Sequence, residues 1–180
     1  PETIPEKDGL IKRENLGMIR GRTRRNQLDM AKKYGIENPP NAGGGCLLTE
    51  PQFGIKAKDL FEHTKNPTIN DIDLLKIGRH FRLDEETKFV VGRNKDENEM
   101  IKAIALPDDI LLEAKDFVGP VSILRGVNSK KHLEFASSVT LRYSDAPNDK
   151  TAIVSIKQSD SVEEITSESA KEESYIQFRM

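Results

Sequence analysis

Cys46 has the clearest reactive potential in this sequence, and it is the only cysteine among 180 residues. Three glycines, Gly43 to Gly45, precede it. Such a run lets the backbone take up positive φ and come close to a partner. Successive N–H groups in a loop of that kind form an anion-binding concavity, which favours a thiolate. The residue fits a small buried hydrophobe equally well, the usual place of a free cysteine. One cysteine makes no internal disulfide. With His63, His80 and His132 scattered, no Cys/His frame for a metal is present and no metal ligands are assigned.

A second constellation is Gly92-Arg93-Asn94, with Asn98 one turn further on. A strand is predicted to close there and a helix to open. Backbone N–H groups at the helix start, together with Arg93, would suit a phosphate. The same residues also make a plain turn in which Asn94 serves as an N-cap. The third is a basic stretch, Lys12 to Lys33, where eight cations including Arg20, Arg22, Arg24 and Arg25 face only Glu14 and Asp29. Such a cluster attracts phosphates even in a chain of net charge −2, because fields decay within ~8 Å at physiological salt. A solvated helix face accounts for it as well. Arg79 and Arg82 flank His80, so that histidine either joins a basic surface or serves structurally in a strand. The glycine triplet is no P-loop, since no Gly-Lys-Ser/Thr follows, and no Ser-Gly-Gly-x-Asp-Ser stretch of an ATP-pyrophosphatase occurs.

These residues need elements to hold them. Apolar spacing predicts a helix over 23–34 stopped by Gly35, an irregular loop over 37–46, and an amphipathic helix over 51–63. A second short helix over 68–75 takes Asn70 as its cap. Strands are expected at 80–83, 88–91, 109–115, 121–125 and 151–157, with helices at 96–105 and 129–143, the latter capped by Ser129. The stretch 159–174 carries six acids, opposed to the chain's end only by Lys171 and Arg179, and it reads as mobile or weakly helical. Ile176, Phe178 and Met180 alternate like a last strand. The fold class is thus α+β: a helical, loop-rich segment over 1–76, a mixed sheet with packed helices over 77–158, and an acidic tail over 159–180.

Composition bounds the function. The length buries a real core, roughly two thirds of the surface an unfolded chain exposes. No apolar run approaches the ~20 residues of a membrane span, and the first residues, PETIPEKDG, have no signal-peptide core. A cytoplasmic protein without membrane or DNA partners is expected.

Gly21-Arg22-Thr23-Arg24-Arg25-Asn26-Gln27, then Asn41 to Phe53 with its Gly-Gly-Gly-Cys-Leu-Leu-Thr run, resembles the distal half of thiouridine-synthase-like tRNA-modifying proteins. Leu74 to Leu83 continues the likeness. From Phe89 onward, Val90-Val91-Gly92-Arg93-Asn94, Asp109-Ile110-Leu111-Leu112, Gly119 and the 136–144 helix resemble the NFACT RNA-binding module. Glu113 stands where that module commonly carries a histidine.

The resemblance implies a piece of a longer tRNA-thiolating enzyme. Its ATP- and Mg-binding domain would precede this chain, and no cofactor would sit in the chain itself. Cys46 would be the sulfur carrier or disulfide partner, or one ligand of an iron–sulfur cluster completed elsewhere. Arg20, Arg22, Arg24, Arg25, Arg79 and Arg82 would meet phosphates, and Arg93 and Asn94 would form an RNA-facing turn. The partners implied are tRNA and a sulfur-donor protein. The rivals are an RNA-binding adaptor with a structural Cys46, and an interaction domain without RNA affinity whose acidic tail is the working surface.

Overall fold

A computed structural model describes residues 2–17, 24–37, 39, 47, 50–127 and 129–180. The chain divides into two compact units, Pro1–Cys46 and Leu47–Met180. In the first, α1 (Ile4–Lys7) opens on a capping box between Thr3 and Glu6, and Glu6 also pairs with Arg13 at the head of a 3-10 turn, Arg13–Leu16. Helix α2 (Arg25–Lys33) ends as its sequence predicts. Gly35 takes φ +67°, and Ile36 N–H reaches back to the Ala31 carbonyl at 2.8 Å. This is a closure that glycine adopts without Cβ strain.

The second unit begins with α3 (Pro51–His63) and α4 (Ile69–Leu75). There follow β1 (Arg79–Arg82), β2 (Lys88–Val91), α5 (Lys95–Ile104), β3 (Ile110–Ala114), β4 (Ser122–Arg125), α6 (Lys130–Arg142), β5 (Thr151–Gln158) and β6 (Ser161–Glu168). Helix α7 (Glu172–Tyr175) and a 3-10 turn, Ile176–Phe178, close the chain. The strand order is β1-β2-β4-β3-β5-β6.

Each pairing is antiparallel, so the sheet is not mixed as expected. The reason lies in the crossovers. Helix α5 carries the chain from β2 to β3, which run the same way, but β4 pairs between them. Helix α6 does likewise from β4 to β5, with β3 between. Helix-linked strands, which read as parallel neighbours in sequence, are each time separated by an antiparallel one.

Alternation along the strands builds two cores. Val90 and Ile123 face α4 and α5, joining Leu74, Ile77 and Ile101. Phe89, Val91 and Leu124 face α6, joining Ala136, Val139, Leu141 and Tyr175. Helix α3 packs Phe53, Ala57 and Leu60 on Leu75. Apolar burial on this scale, worth ~25 cal/mol per Å², holds helices on both faces of the sheet.

Three further expectations are corrected. Asn70 does not cap α4. Thr68 does, with its side chain accepting from Asp71 N–H and the Asp71 carboxylate accepting in return from Thr68 N–H at 2.9 Å. Asn70 instead lies inside the helix and donates to the Ile104 carbonyl. A Thr-x-x-Asp box satisfies two orphan donors where Asn70 would satisfy one.

The acidic tail is likewise ordered as β6, a hairpin partner of β5 through Ser159 at φ +50°. Exposure explains the misreading, since six of this edge strand's eight residues, its three glutamates among them, stay in water. At 176–180 the chain forms a turn rather than a strand, with one isolated bridge between Phe81 and Arg179.

Candidate nucleic-acid interface

Arg79 begins β1, and Arg93 follows the end of β2. The β1–β2 register places Arg79 opposite Val91, two residues before Arg93. Two hollows, of about 420 and 430 Å³, share these two arginines in their walls. The first is lined also by Lys56, Lys76, Gly78 and Arg179, the second by Gly92, Asn94, Lys95, Asn98 and Tyr143.

Asn98 shapes the second hollow. Its side-chain oxygen accepts from Val121 N–H at 3.0 Å, and its amide donates to the Gly119 carbonyl at 3.3 Å. A Cβ on Gly92 would collide with Asn98 and come within 3.2 Å of the Val121 carbonyl. Only glycine therefore lets the β2 end and the 119–121 loop close around Asn98. Asn94 caps α5, accepting from Glu97 N–H at 2.9 Å.

Glu97 occupies the helix start. Its carboxylate receives Arg93 N–H at 2.8 Å, the Arg93 guanidinium at 2.5 to 3.0 Å, and a backbone bond from Gly78. Burial pushes the Glu97 carboxyl up, but these donors more than reverse it and hold it below the usual range. The anion-binding end of α5 thus already holds an anion from its own first turn. Arg79 lies over the Tyr143 ring at 4.6 Å, with one N–H aimed at the Gly92 carbonyl at 3.4 Å.

Elsewhere the arginines part company. Arg82 lies on the opposite face of β1, in a bidentate pair with Asp59 at 2.6 and 2.9 Å, and so is not brought to this groove. His80 is buried, its Nε2–H donating to the Ile77 carbonyl at 2.7 Å. Burial, with Lys88 and Lys56 near, keeps its ring well below the ordinary histidine value and neutral. It serves the strand. Arg24 and Arg25 belong to the first unit, at the start of α2, while Arg20, Arg22 and Cys46 lie outside the described residues. Glu113 pairs with Lys102 at 3.1 Å beside buried Leu112.

Sequence reasoning missed Lys56, Lys95 and Arg179. Each lies in an ordinary polar stretch, and only the packing of α3, the β1–β2 pairing and the returning C-terminus bring them beside Arg79. Among the described residues, no group of His, Cys, Asp and Glu could hold a metal, and no helix is long and apolar enough to cross a membrane.

Residues 78–179 match the family described as the NFACT protein RNA binding domain, and the chain belongs to that family. The matched span runs through β6 and α7, so the acidic tail is part of the domain. Its fold is similar to that of the C-terminal of the fibronectin/fibrinogen-binding protein from Streptococcus suis. There the identity is 14%, the TM-score 0.52, and the match covers 91% of this chain and 82% of the other. Among curated proteins none matches this chain.

Proposed function

We propose that the chain binds RNA, of the tRNA class, along the groove that Arg79 and Arg93 divide. The observation that carries this is the convergence of Arg79, Arg93, Lys95, Lys56 and Arg179 on two adjoining hollows in a chain whose net charge is −2. Membership of an RNA-binding family supports the same reading. Phosphate contacts of this kind set affinity and register, and sequence choice would come from groups such as Asn98 and Tyr143 on the hollow's wall. Titration of tRNA should show affinity falling roughly 20- to 50-fold between about 50 and 200 mM salt, for three or four neutralised phosphates. Absence of salt-sensitive binding would instead favour the interaction domain.

The finer reading places this domain in a tRNA-thiolating enzyme, with ATP and Mg held by a preceding domain and a sulfur-donor protein as second partner. It is supported only by the sequence resemblance of residues 21–27, 41–53 with their Gly-Gly-Gly-Cys-Leu-Leu-Thr run, and 74–83. Adenylation would turn a uridine carbonyl oxygen into a leaving group. A persulfide on Cys46 would then attack that carbon through its outer sulfur as AMP departs. The thiolate of a partner cysteine in the preceding domain would cleave the S–S bond, leaving thiouridine and a disulfide between that cysteine and Cys46 that an external dithiol reduces before the next turnover. In the full-length protein, Cys46→Ser is expected to lower the thionucleoside content of tRNA digests. Unchanged content would leave RNA binding as the function and Cys46 as structural.

A further inference from the structure

Lys56 is the recessed cation of the first hollow. It projects from α3, half-buried, and its ammonium reaches only the Leu75 and Gly78 carbonyls at 3.3 and 3.5 Å. Among the described residues no carboxylate lies within ion-pairing distance of it, nor of Arg79 or Arg179 on the same walls. The other two cations there are already matched, Lys76 by Asp73 at 2.7 Å and Arg93 by Glu97. Against the three unmatched cations the hollow offers one acidic side chain of its own, Glu50. Burial and the nearby Arg93 push the Lys56 amine below its ordinary value, with Glu97 and Glu50 offsetting them only in part.

An excess of two positive charges suits a dianion better than a carboxylate. A phosphomonoester is nearly dianionic at neutral pH, whereas an internal phosphodiester carries one charge. The hollow's size also falls in the range that encloses a small ligand. A strand end or a single nucleotide carries such a phosphomonoester group.

We propose that this cleft binds a phosphomonoester, either the terminal phosphate of an RNA strand or that of a free nucleotide, with Lys56 below and Arg79 and Arg179 beside it. For an RNA end the proposal rests on the RNA-binding reading above.

The test uses the full chain and one single-stranded RNA of about 12 nucleotides in three forms: 5′-phosphate, 3′-phosphate, and hydroxyl at both ends. AMP and inorganic phosphate are titrated in parallel. One phosphorylated form is expected to bind about tenfold more tightly than the hydroxyl form. Lys56→Gln removes that preference, lowering affinity for the phosphorylated RNA about tenfold more than for hydroxyl-ended RNA, and Arg179→Gln, at an exposed position, weakens the preference. Should no RNA bind while AMP does so in a Lys56-dependent way, the RNA reading fails and the cleft is a free-nucleotide site. Equal binding of all three RNAs, or no RNA and no AMP binding, overturns the proposal.

Discussion

Reversing the charge at Arg93 (Arg93→Glu) is expected to lower RNA affinity by about 100-fold at low salt, and Arg93→Gln by about tenfold. The effect is large because Arg93 does two things at once. It lines both hollows, and it covers Glu97, whose carboxylate is otherwise an anion pointing at the incoming phosphates. Removing the guanidinium thus deletes one attraction and uncovers one repulsion. Glu97→Gln acts in the opposite direction, freeing Arg93, and should raise affinity a few-fold. Anisotropy titrations across salt distinguish this from misfolding, since Arg93→Gln should also reduce the salt slope by about one phosphate. Wild-type affinity and slope in Arg93→Glu would remove the groove from the RNA path.

The opposed effects of Arg93 and Glu97 were only half legible in sequence. Gly92-Arg93-Asn94 marked the strand end, the cap and the cation, because each of those roles is local. That Glu97 turns back onto Arg93 depends on the first turn of α5 lying against Gly78, a contact across nineteen residues. Long-range placement is also what hid Lys56 and Arg179. Elements with strong period, such as α3, α5 and α6, were readable almost to their ends, whereas the sheet's order was not. Nothing in β3 or β4 says that β4 will slip between β2 and β3. The tail was misread for a physical reason, since an edge strand with solvated glutamates has the composition of a mobile segment.

Asp59→Ala is expected to destabilise the protein by about 3 to 5 kcal/mol and lower Tm by roughly 10 °C. Asp59 is the single anion for two cations inside the α3–sheet contact. Arg82 meets it at 2.6 and 2.9 Å, and Lys88 at 3.1 Å. The side chains of Arg82 and Lys88 are only 17% and 8% exposed, so without Asp59 the Arg82 charge is left unpaired where water cannot replace the carboxylate, and Lys88 holds its proton less readily. Burial pushes the Asp59 carboxyl up, but Arg82 and Lys88 more than reverse it, leaving it below the usual value. The stability it contributes is therefore full above about pH 4 and is lost as pH falls through its lowered folded value.

Lys88 behaves oppositely. Burial pushes it down to about 8 despite Asp59, so between about pH 8 and 10 the unfolded chain holds more protons and stability rises with pH. In Asp59→Ala that rise should begin at lower pH, because Lys88 has lost its counter-ion. In Lys88→Met it should vanish, with little loss of stability at neutral pH, since Arg82 still matches Asp59. Chemical denaturation across pH reads all three.

The consequence reaches the phosphate cleft. Lys56 stands three residues before Asp59 on the same side of α3, and the Asp59 pair fixes the rotation of that helix on the sheet. At temperatures where Asp59→Ala remains folded, its preference for phosphorylated RNA ends should fall as it does in Lys56→Gln, while Lys88→Met retains it. A folded Asp59→Ala protein with full preference would show that α3 is held by its apolar contacts, Phe53, Ala57 and Leu60 on Leu75, alone.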